Sequence, residues 1–406
     1  MTARADIVIV GGGPAGLSAA ETAAGGGANV IVLERMTEIG KQVHTSGGTS
    51  VKHMRAFGVP SHLYHIVETV RLRSPNAEAV FRLPDPVLCV LDVTGVYRHL
   101  AHRAEQAGAT IVTAANVIAP IRDGKAVAGC VYRHNGVDCE IRSSLVIDAG
   151  GYKAAFSKAA GLHPGFERFG VGAEQELIAP RCRQDEALLI VGSRYAPAGY
   201  GWVFPWGSSR VRVGVGILHA DSTANPRKHL ATFLKDAGDV GVDLRGATVI
   251  EDHFGLIPSD GLPDRLVHDG IIAVGDAAGQ PSLVVGEGIR LSILAGQMAG
   301  SVAAEAVAKR SFKASHLQSY ETEFRKRYAL ELRIGYMVNR RMAQWADDEW
   351  DDKVRLAAEF PASLMAELLQ SQFSVGRILG FLATRPLMWP RAIRYAVKGA
   401  LQLLGA

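Results

Sequence analysis

Three groups of residues in this sequence have the types and the spacing needed to hold a nucleotide cofactor and to work beside it. The first is the glycine pattern GxGxxG at Gly11, Gly13 and Gly16. Gly11 permits a tight turn, Gly13 lets the backbone approach a pyrophosphate, and Gly16 lets a helix pack closely on a strand. An acid, Glu34, follows at about the 20-residue distance of dinucleotide-binding motifs and would bind a ribose hydroxyl pair. An acid at this place favours FAD or NAD over NADP.

The flanking sequence predicts the elements that position these residues. An apolar run at residues 7–10 predicts a buried parallel strand, and a helix rich in small residues follows from Pro14 and Ala15. The N–H groups at the start of that helix are free to bind an anion. A second apolar run, at residues 30–33, predicts the next strand, which leads into the ribose acid and its neighbour Arg35. Strand, glycines, helix and acid thus occur in the order that the motif requires.

The second group is the stretch GDAAGQPSLVVGEGI, which runs from Gly275 to Ile289. A predicted strand delivers Asp276 to a loop, where its carboxylate can accept a hydrogen bond from a ribitol hydroxyl. Gly286 and Gly288 then open a long helix whose N-terminus would point at a flavin ring. A helix N-terminus carries about half a positive charge, which stabilises the negative charge of a reduced flavin.

Together, these two groups resemble the FAD-binding pattern of the glutathione-reductase and para-hydroxybenzoate-hydroxylase superfamily, over residues 6–305. The resemblance implies FAD as the cofactor. The sequence DAGG, which begins at Asp148, looks like the third and weaker motif of that superfamily and makes Asp148 a candidate cofactor contact. There is no second GxGxxG with a strand and a helix around it, so the reductant is expected to be transiently bound NADPH or a small electron-donor protein such as reduced ferredoxin.

The third group is YGWVFP, residues 200–205. It resembles the YxWxFP motif of the geranylgeranyl reductase family, which includes the archaeal digeranylgeranylglycerophospholipid reductases. The resemblance implies a strand beside the chamber that holds an isoprenoid tail. Tyr200 and Trp202 share one face of that strand because side chains alternate along it, so both are candidate catalytic residues that line one cavity. From the residues alone, an aromatic strand that packs into its own core is the alternative.

The proton donor is left open by two differences from the family. Many members carry a cysteine in the loop after the ribose acid, whereas residues 39–50 here read IGKQVHTSGGTS, without a cysteine and too irregular for a predicted strand. His44 in this loop is the candidate proton donor, although a loop histidine is more often solvated or a capping residue. Family members often carry an arginine before the helix that we predict at residues 96–108. Here the sequence at 92–95 is Asp-Val-Thr-Gly, without an arginine.

The predicted function is FAD-dependent reduction of carbon–carbon double bonds in an isoprenoid or other lipophilic small molecule. One alternative is a flavin monooxygenase or halogenase that acts on an aromatic substrate, since halogenases carry a related motif. Another is a flavoprotein that passes electrons to a membrane quinone. Such proteins usually work with an iron–sulfur domain, and the scattered Cys89, Cys130, Cys139 and Cys182 cannot form one.

The order of predicted elements indicates an α/β fold. A hairpin layer at residues 117–141 and a buried strand at residues 144–148 belong to a Rossmann-like FAD-binding domain, which is discontinuous because its last strand arrives at residues 271–274. Between them lies an antiparallel β-sheet domain for the substrate, and a C-terminal helical region follows. We assign residues 1–80, 92–165 and 265–310 to the FAD-binding domain, 81–91 and 166–264 to the substrate-binding sheet, and 311–406 to the helical region.

Composition narrows the partners and the compartment. The 406-residue chain has 48% hydrophobic residues and a net charge of +4, too small for a nucleic-acid-binding protein of this size. The cysteines lack CxxC spacing and a nearby histidine pattern, so we predict reduced thiols and no metal site. The N-terminus runs directly into a predicted core strand, and no window reaches the roughly 20 apolar residues needed to span a bilayer. A cytoplasmic protein is therefore expected.

The C-terminal segment, residues 374–406, carries arginines, one lysine and one tryptophan but no acids. A cationic amphipathic segment of this kind suits the surface of an anionic membrane, so peripheral membrane contact is one interpretation. A helical cap with solvated arginines is the other. The sequence contains no signal for an oligomeric state.

Overall fold

The computed structural model describes residues 3–42, 45–83 and 85–370. Within these ranges the chain forms three sheets and the helices that pack against them. The strands are β1 (Ala3–Val10), β2 (Val30–Leu33), β3 (Gly48–Ser50), β4 (Tyr64–Val67), β5 (Thr69–Arg73), β6 (Glu78–Arg82), β7 (Leu88–Leu91), β8 (Thr110–Val112), β9 (Ala115–Asp123), β10 (Ala126–His134), β11 (Val137–Asp148), β12 (Phe169–Ile178), β13 (Glu186–Gly192), β14 (Ala196–Gly207), β15 (Arg210–His219), β16 (Thr248–Pro258), β17 (Val267–His268) and β18 (Ile271–Ala273).

The helices follow the same chain order. They are α1 (Pro14–Gly25), α2 (Val51–Ala56), α3 (Val93–Gln106), α4 (Ala155–Ala159), α5 (Pro226–Lys235), α6 (Ile289–Lys309), α7 (Ala314–Met342), α8 (Asp347–Ala357) and α9 (Ala362–Leu369).

The first sheet is built around β1, whose apolar side chains are buried in the main hydrophobic core. Its strands lie in the order β17-β18-β11-β1-β2-β8, with β9 and β10 attached to β11 as an antiparallel layer. β1 is parallel to β2 and to β11, and β18 is parallel to β11. The late return of β18 to the first sheet confirms the predicted discontinuous α/β fold.

One strand of this sheet is longer than expected. The sequence predicted separate strands that end near residue 141 and occupy residues 144–148, whereas β11 is continuous from Val137 to Asp148. Its first half pairs with β10, and its second half pairs with β1. A single strand therefore serves both the hairpin layer and the parallel core, which local turn signals do not reveal.

The second sheet has the strand order β16-β12-β15-β14-β13-β5-β6. All of its neighbours are antiparallel except β13 and β5. β5 falls within residues 1–80, which the sequence assigned to the FAD-binding domain, so that boundary was wrong for this strand. A buried ion pair, in which Arg71 Nε lies 2.9 Å from Glu186 Oε1, joins β5 to β13 beside their backbone ladder.

The third sheet is a small one of three strands, in the order β3-β7-β4. β7 lies within residues 81–91, which the sequence placed in the substrate-binding sheet, and that assignment was also wrong. β7 instead pairs with β3, where an irregular loop was expected. The carbonyl of Gly47 accepts from the N–H of Leu91 and extends this pairing.

Helices α1 and α6 cross at close range on one face of the first sheet. A Cβ atom added at Gly296 would lie 2.2 Å from the carbonyl oxygen of Ala15, and one added at Gly300 would lie 2.6 Å from that of Ala19. The two backbones touch because α6 has no side chains there. By length and composition, α6 could cross a bilayer, contrary to the sequence-based expectation, but half of its most apolar window is buried inside the protein.

The C-terminal helices pack against the first and the second sheet. α7 packs beside α6 and buries Tyr320 and Phe324. In α8, Asp351 accepts hydrogen bonds from Ser74 and Asn76 and so fastens the helical region to the turn between β5 and β6. The predicted membrane-contact segment, residues 374–406, lies outside the described residues.

Replacement of Gly296 by alanine should separate α1 from α6. The added methyl group would meet a backbone oxygen that cannot rotate away, so we expect the free energy of unfolding to fall by about 1–3 kcal/mol. Gly25→Ala is the matched control, because a Cβ at Gly25 meets nothing within 4 Å. Chemical denaturation measures both variants, and equal stability of the two would contradict the close crossing.

Candidate active site

A cavity of about 660 Å³ lies between the first sheet and the second. It is lined by the N-termini of α1 and α6, by the loop after β2 and by one face of the second sheet. The crossing of α1 and α6 is what brings the two helix N-termini to the same cavity. The glycine motif and the aromatic motif of the sequence therefore meet in one space.

The N-terminus of α1 is open to this cavity. Gly13, Pro14 and Ala15 line it, and no side chain caps the helix at Gly13. The free N–H groups and the helix dipole suit a pyrophosphate. Gly11 also lines the cavity and has φ of 98°, and a Cβ there would lie 2.5 Å from the carbonyl oxygen of Ala149. Gly16 does not line the cavity, because a Cβ at this position would point at the Gly11 carbonyl, 2.1 Å away.

Glu34 lies at the end of β2, where its carboxylate is held by backbone groups. Oε2 accepts from the N–H of Gly12 at 2.7 Å, and Oε1 accepts from that of Met36 at 2.8 Å. A carboxylate has about four acceptor sites, so each oxygen retains one for a ribose hydroxyl. Glu34 and Arg35 both line the cavity, as the motif requires.

Asp148 does not have the position predicted for it. It is fully buried behind the cavity, and its carboxylate accepts hydrogen bonds from the N–H of Gly150 and from both the N–H and the hydroxyl of Ser157. Its acceptors are thus used to join the end of β11 to α4. The residues after it, Ala149, Gly150 and Gly151, line the cavity instead.

Asp276 lines the cavity and has no hydrogen-bond partner for its carboxylate among the described residues. Burial raises the pKa of this carboxyl from 3.8 to about 6. An enclosed acid without a partner fits a ligand hydroxyl, which is what the ribitol chain of FAD offers. Gly275 does not line the cavity. Its backbone has φ of 64° and lies close to the side chains of Ala15 and Ser292.

The N-terminus of α6 forms the opposite wall. Gly288 is the residue before its first turn, and Gly286, Gly288 and Ile289 line the cavity. Gly286 has φ of 66°, a conformation that favours glycine. The dipole of this 21-residue helix points its positive end into the cavity, as a reduced flavin requires.

Tyr200 and Trp202 lie on β14 and line the same cavity, in agreement with their predicted alternation. Their ring centroids are 5.7 Å apart. The Tyr200 hydroxyl donates to the carbonyl of Val285, in the loop that leads into α6, at 2.5 Å. Burial and, secondarily, the charge of Glu174 raise the pKa of Tyr200, so this phenol stays neutral.

Two glycines of β15 make room for the indole of Trp202. A Cβ at Gly214 would lie 2.3 Å from the indole Cζ2, and one at Gly216 would lie 3.3 Å from Cζ3. The indole therefore lies across the backbone of the neighbouring strand. The pattern Val-Gly-Val-Gly at residues 213–216, which suits no phosphate loop, forms the floor under this ring.

Glu174 on β12 and His253 on β16 are functional candidates that sequence reasoning missed. Both are buried, and both line the cavity. The indole N–H of Trp202 donates to Glu174 Oε2 at 2.7 Å, and His253 Nδ1 lies 3.0 Å from Glu174 Oε1. The alternation of apolar and polar residues along a strand places such residues on a face, but it cannot show that two distant strands bring them together.

Arg212 on β15 closes the loop side of the cavity. Its side chain is 2% exposed, and its guanidinium donates to the carbonyls of Ser46 and Leu91 and to the carboxylate of Glu176. Thr45 and Ser46 of the same loop line the cavity. His44, the predicted proton donor, lies outside the described residues.

Comparison with known proteins is consistent with this geometry. Residues 4–333 match the family model described as an FAD binding domain. The sequence is 32% identical over 360 residues to digeranylgeranylglycerophospholipid reductase 2 of Methanothermobacter thermautotrophicus, an alignment that covers 86% of this chain and 91% of that protein. The chain belongs to the geranylgeranyl reductase family. It is therefore an FAD-dependent oxidoreductase, as predicted.

Solved structures agree with this family assignment. A geranylgeranyl bacteriochlorophyll reductase-like protein from Thermoplasma acidophilum matches the family member described here with a TM-score of 0.83 and 26% identity, covering 90% of this chain and 96% of that one. A flavin-dependent brominase variant matches with a TM-score of 0.74 and 17% identity, covering 97% and 100%. At that identity the second likeness shows the fold alone. Among the described residues, no group of three or more histidine, cysteine, aspartate or glutamate side chains could hold a metal ion.

Replacement of Asp276 by asparagine should weaken FAD binding and stabilise the protein without FAD. A lost hydrogen bond to a charged acceptor is worth about 1.5–3 kcal/mol, so we expect the dissociation constant to rise about 10- to 100-fold. Since the pKa of Asp276 is raised on folding, the stability linked to its proton is present below pH 4 and lost as pH rises through about 6.

At pH 8 the buried charge of Asp276 costs about 3 kcal/mol, which the asparagine variant removes. The FAD-free variant should therefore melt at a higher temperature than wild type at pH 8, with a smaller difference at pH 4. Fluorescence titration with FAD and thermal melts at the two pH values measure these effects. Asp264→Asn, at an exposed aspartate outside the cavity, should change neither. Unchanged FAD affinity in Asp276→Asn would contradict the assigned contact.

Proposed function

We propose that this enzyme reduces carbon–carbon double bonds of an isoprenoid or similarly lipophilic substrate in the cavity between its two large sheets. The observation that carries the proposal is the aromatic wall of β14. Trp202 lies flat over Gly214, and Tyr200 joins this wall to the loop that leads into α6. A flat apolar surface next to a flavin-binding loop suits an extended hydrocarbon chain. The reductase name of the archaeal relative supports the same substrate class.

The residues of the chain define what this cavity does for such a reaction. Reduced FAD supplies a hydride when it is bound there. The N-termini of α1 and α6 and the carboxylates of Glu34 and Asp276 bind and orient the cofactor. Tyr200 and Trp202 exclude water and offer ring faces that stabilise positive charge as the alkene is protonated. An isolated alkene is a poor hydride acceptor, so we expect proton transfer from an acid to lead the step.

The electrons must come from outside the cavity. Transiently bound NADPH or an electron-donor protein such as reduced ferredoxin is our proposal for the reductant, since the sequence carries one dinucleotide motif and FAD accounts for it. The lipid-type substrate also motivates the proposal of a cytoplasmic enzyme that works at a membrane surface. The segment proposed for that contact, residues 374–406, and the candidate proton donor His44 both lie outside the described residues.

The decisive experiment is anaerobic. The purified enzyme with bound FAD is reduced with dithionite and mixed with geranylgeranyl diphosphate or with a geranylgeranylated lipid extract. We expect the flavin to reoxidise without oxygen and the product mass to rise by two hydrogens per turnover. A flavin that stays reduced with these substrates until oxygen is admitted would contradict the proposal and favour the oxygen-activating alternative.

Replacement of Gly214 by alanine tests the aromatic wall. The new methyl group would overlap the indole of Trp202, displace the ring and break its hydrogen bond to Glu174. We expect FAD to remain bound while the rate of anaerobic flavin reoxidation by substrate falls at least about tenfold, because the geometry of the reacting groups is lost. Gly238→Ala is the control, since a Cβ there meets nothing within 4 Å. A Gly214→Ala variant as fast as the control would remove Trp202 from the substrate wall.

A further inference from the structure

A row of polar side chains crosses the second sheet from the cavity to the protein surface. It begins at Trp202, whose indole N–H is bonded to Glu174. Glu174 contacts His253, and His253 Nε2, which has no hydrogen-bond partner among the described residues, lies 3.4 Å from the carboxylate of Glu251. The side chain of Glu251 is 59% exposed, whereas those of Glu174 and His253 are 5% and 4% exposed. The row therefore connects solvent to the cavity through two buried groups that can carry a proton.

The position of Glu174 is unusual for a buried acid. Each of its oxygens has one partner, the Trp202 indole at one and His253 at the other, and no arginine or lysine forms an ion pair with it among the described residues. Other buried carboxylates of this sheet are paired with arginine, such as Glu176 with Arg212 and Glu186 with Arg71. His253 is therefore the one ion-pair partner of Glu174 among the described residues.

The groups around His253 favour its protonated form. Burial opposes the charge, but the hydrogen bond to Glu174 and the negative charges of Glu174 and Glu251 outweigh it and raise the pKa of His253 above its ordinary value of 6.5. From β12, the next residue on the same face is Glu176, which is paired with Arg212 of β15. From β15 and β14, the facing residues are Gly214 and Trp202, which carry no charge. The histidine thus sits between two carboxylates.

We propose that Glu251, His253 and Glu174 form a proton relay that protonates the substrate alkene from the second sheet. This inference rests on the proposed reductase function and names the acid that the function requires. Glu174 is the catalytic residue, because it faces the cavity and would deliver the proton. His253 and Glu251 are positioning residues that supply that proton from solvent.

A proton moves from His253 Nδ1 to Glu174 Oε1, and from the resulting carboxylic acid to one alkene carbon. The two π electrons of the double bond form this first C–H bond. The second C–H bond, at the other carbon, would use the hydride that FAD supplies when bound in reduced form, and this hydride would bring the two electrons of the reduction. His253 then regains a proton from water by way of Glu251, and the external reductant restores the two electrons.

A purely structural role explains the arrangement less well. β16 is the edge strand of the second sheet and is already held to β12 by a ladder that runs from Phe169 to Ile178. A buried ionised pair is weak evidence for stability, because desolvation consumes much of its attraction. A buried acid–histidine pair that faces a cavity and reaches solvent through one exposed carboxylate matches a site where pKa values are tuned for function.

The first test replaces Glu174 with glutamine, which keeps an acceptor for the Trp202 indole but cannot carry the proton. In the dithionite-reduced holoenzyme mixed anaerobically with geranylgeranyl diphosphate, the rate of flavin reoxidation should fall about 100-fold or more. FAD affinity and melting temperature should stay at the wild-type values. Glu174→Asp should recover part of the lost rate. A Glu174→Gln variant with the wild-type rate would overturn the relay.

The second test uses the exposed end of the relay and does not depend on a buried substitution. The rate should be high while His253 is protonated and fall as pH rises through its pKa. Glu251→Gln removes a negative charge near His253, so the midpoint of this fall should move to lower pH. Asp252→Asn is the matched control on the same strand, because Asp252 is exposed, bonds to Gln175 and should leave the midpoint in place.

A readout that needs no substrate completes the design. NMR of the holoenzyme with labelled histidine, assigned with His253→Gln, should give a pKa of His253 above 6.5 that falls in Glu174→Gln and in Glu251→Gln but not in Asp252→Asn. An unmoved pKa and an unmoved rate midpoint in Glu251→Gln would overturn the relay. If wild type fails to reoxidise with every isoprenoid substrate, the proposed function itself fails; if wild type reacts and Glu174→Gln reacts equally fast, only the relay fails.

Discussion

The close crossing of α1 and α6 is the constraint on which the site depends. Helices usually pack 8–10 Å apart, with side chains between them. Here Gly296 and Gly300 bring the backbone of α6 onto that of α1. Both helices therefore start at the same edge of the first sheet, and their positive ends converge on one cavity. A binding site for an anionic cofactor follows from the packing of two helices, before any polar side chain contributes.

The second sheet supplies what the first cannot, a wall against which a hydrocarbon can lie. The same device recurs there, because glycines at 214 and 216 let the ring of Trp202 approach a strand backbone. The hydroxyl of Tyr200 then links this wall to the loop before α6. The aromatic side chains of β14 and the loop predicted to hold the cofactor are thus joined by one hydrogen bond.

The residues that the structure places where the sequence predicted them belong to features that are local in the chain. The turn at Gly11 and Gly13, the acid at Glu34 and the alternation of Tyr200 with Trp202 each involve neighbours within one motif, whose physics needs little context. Asp148 was misassigned because a strand end followed by glycines resembles a cofactor turn, whereas its carboxylate bonds to Ser157 on α4. In DAGG, the residues that line the cavity are Ala149, Gly150 and Gly151, and not the acid.

What could not be predicted depends on strand order. Glu174 and His253 are 79 residues apart in the sequence, where β13, β14 and β15 lie between β12 and β16. In the second sheet, β12 and β16 are nevertheless direct neighbours. The alternation of apolar and polar residues within either strand does not predict which strand it pairs with. The same reason explains the misplacement of β5, since its partner β13 lies more than a hundred residues further along. Sequence patterns define faces, and sheet topology decides which faces meet.

The buried charge of Arg212 has a consequence for how FAD enters and leaves the cavity. Its buried guanidinium binds the carbonyls of Ser46 and Leu91, so the loop that walls the cavity is fixed to the second sheet by a charge. Moving that loop would take the Ser46 carbonyl away from the guanidinium, which would keep Leu91 and Glu176 as partners, at a cost of about 1.5–3 kcal/mol. We therefore expect FAD to exchange slowly with the folded protein, because this loop must first move away from the second sheet. A bound FAD would then serve many turnovers while substrates exchange around it.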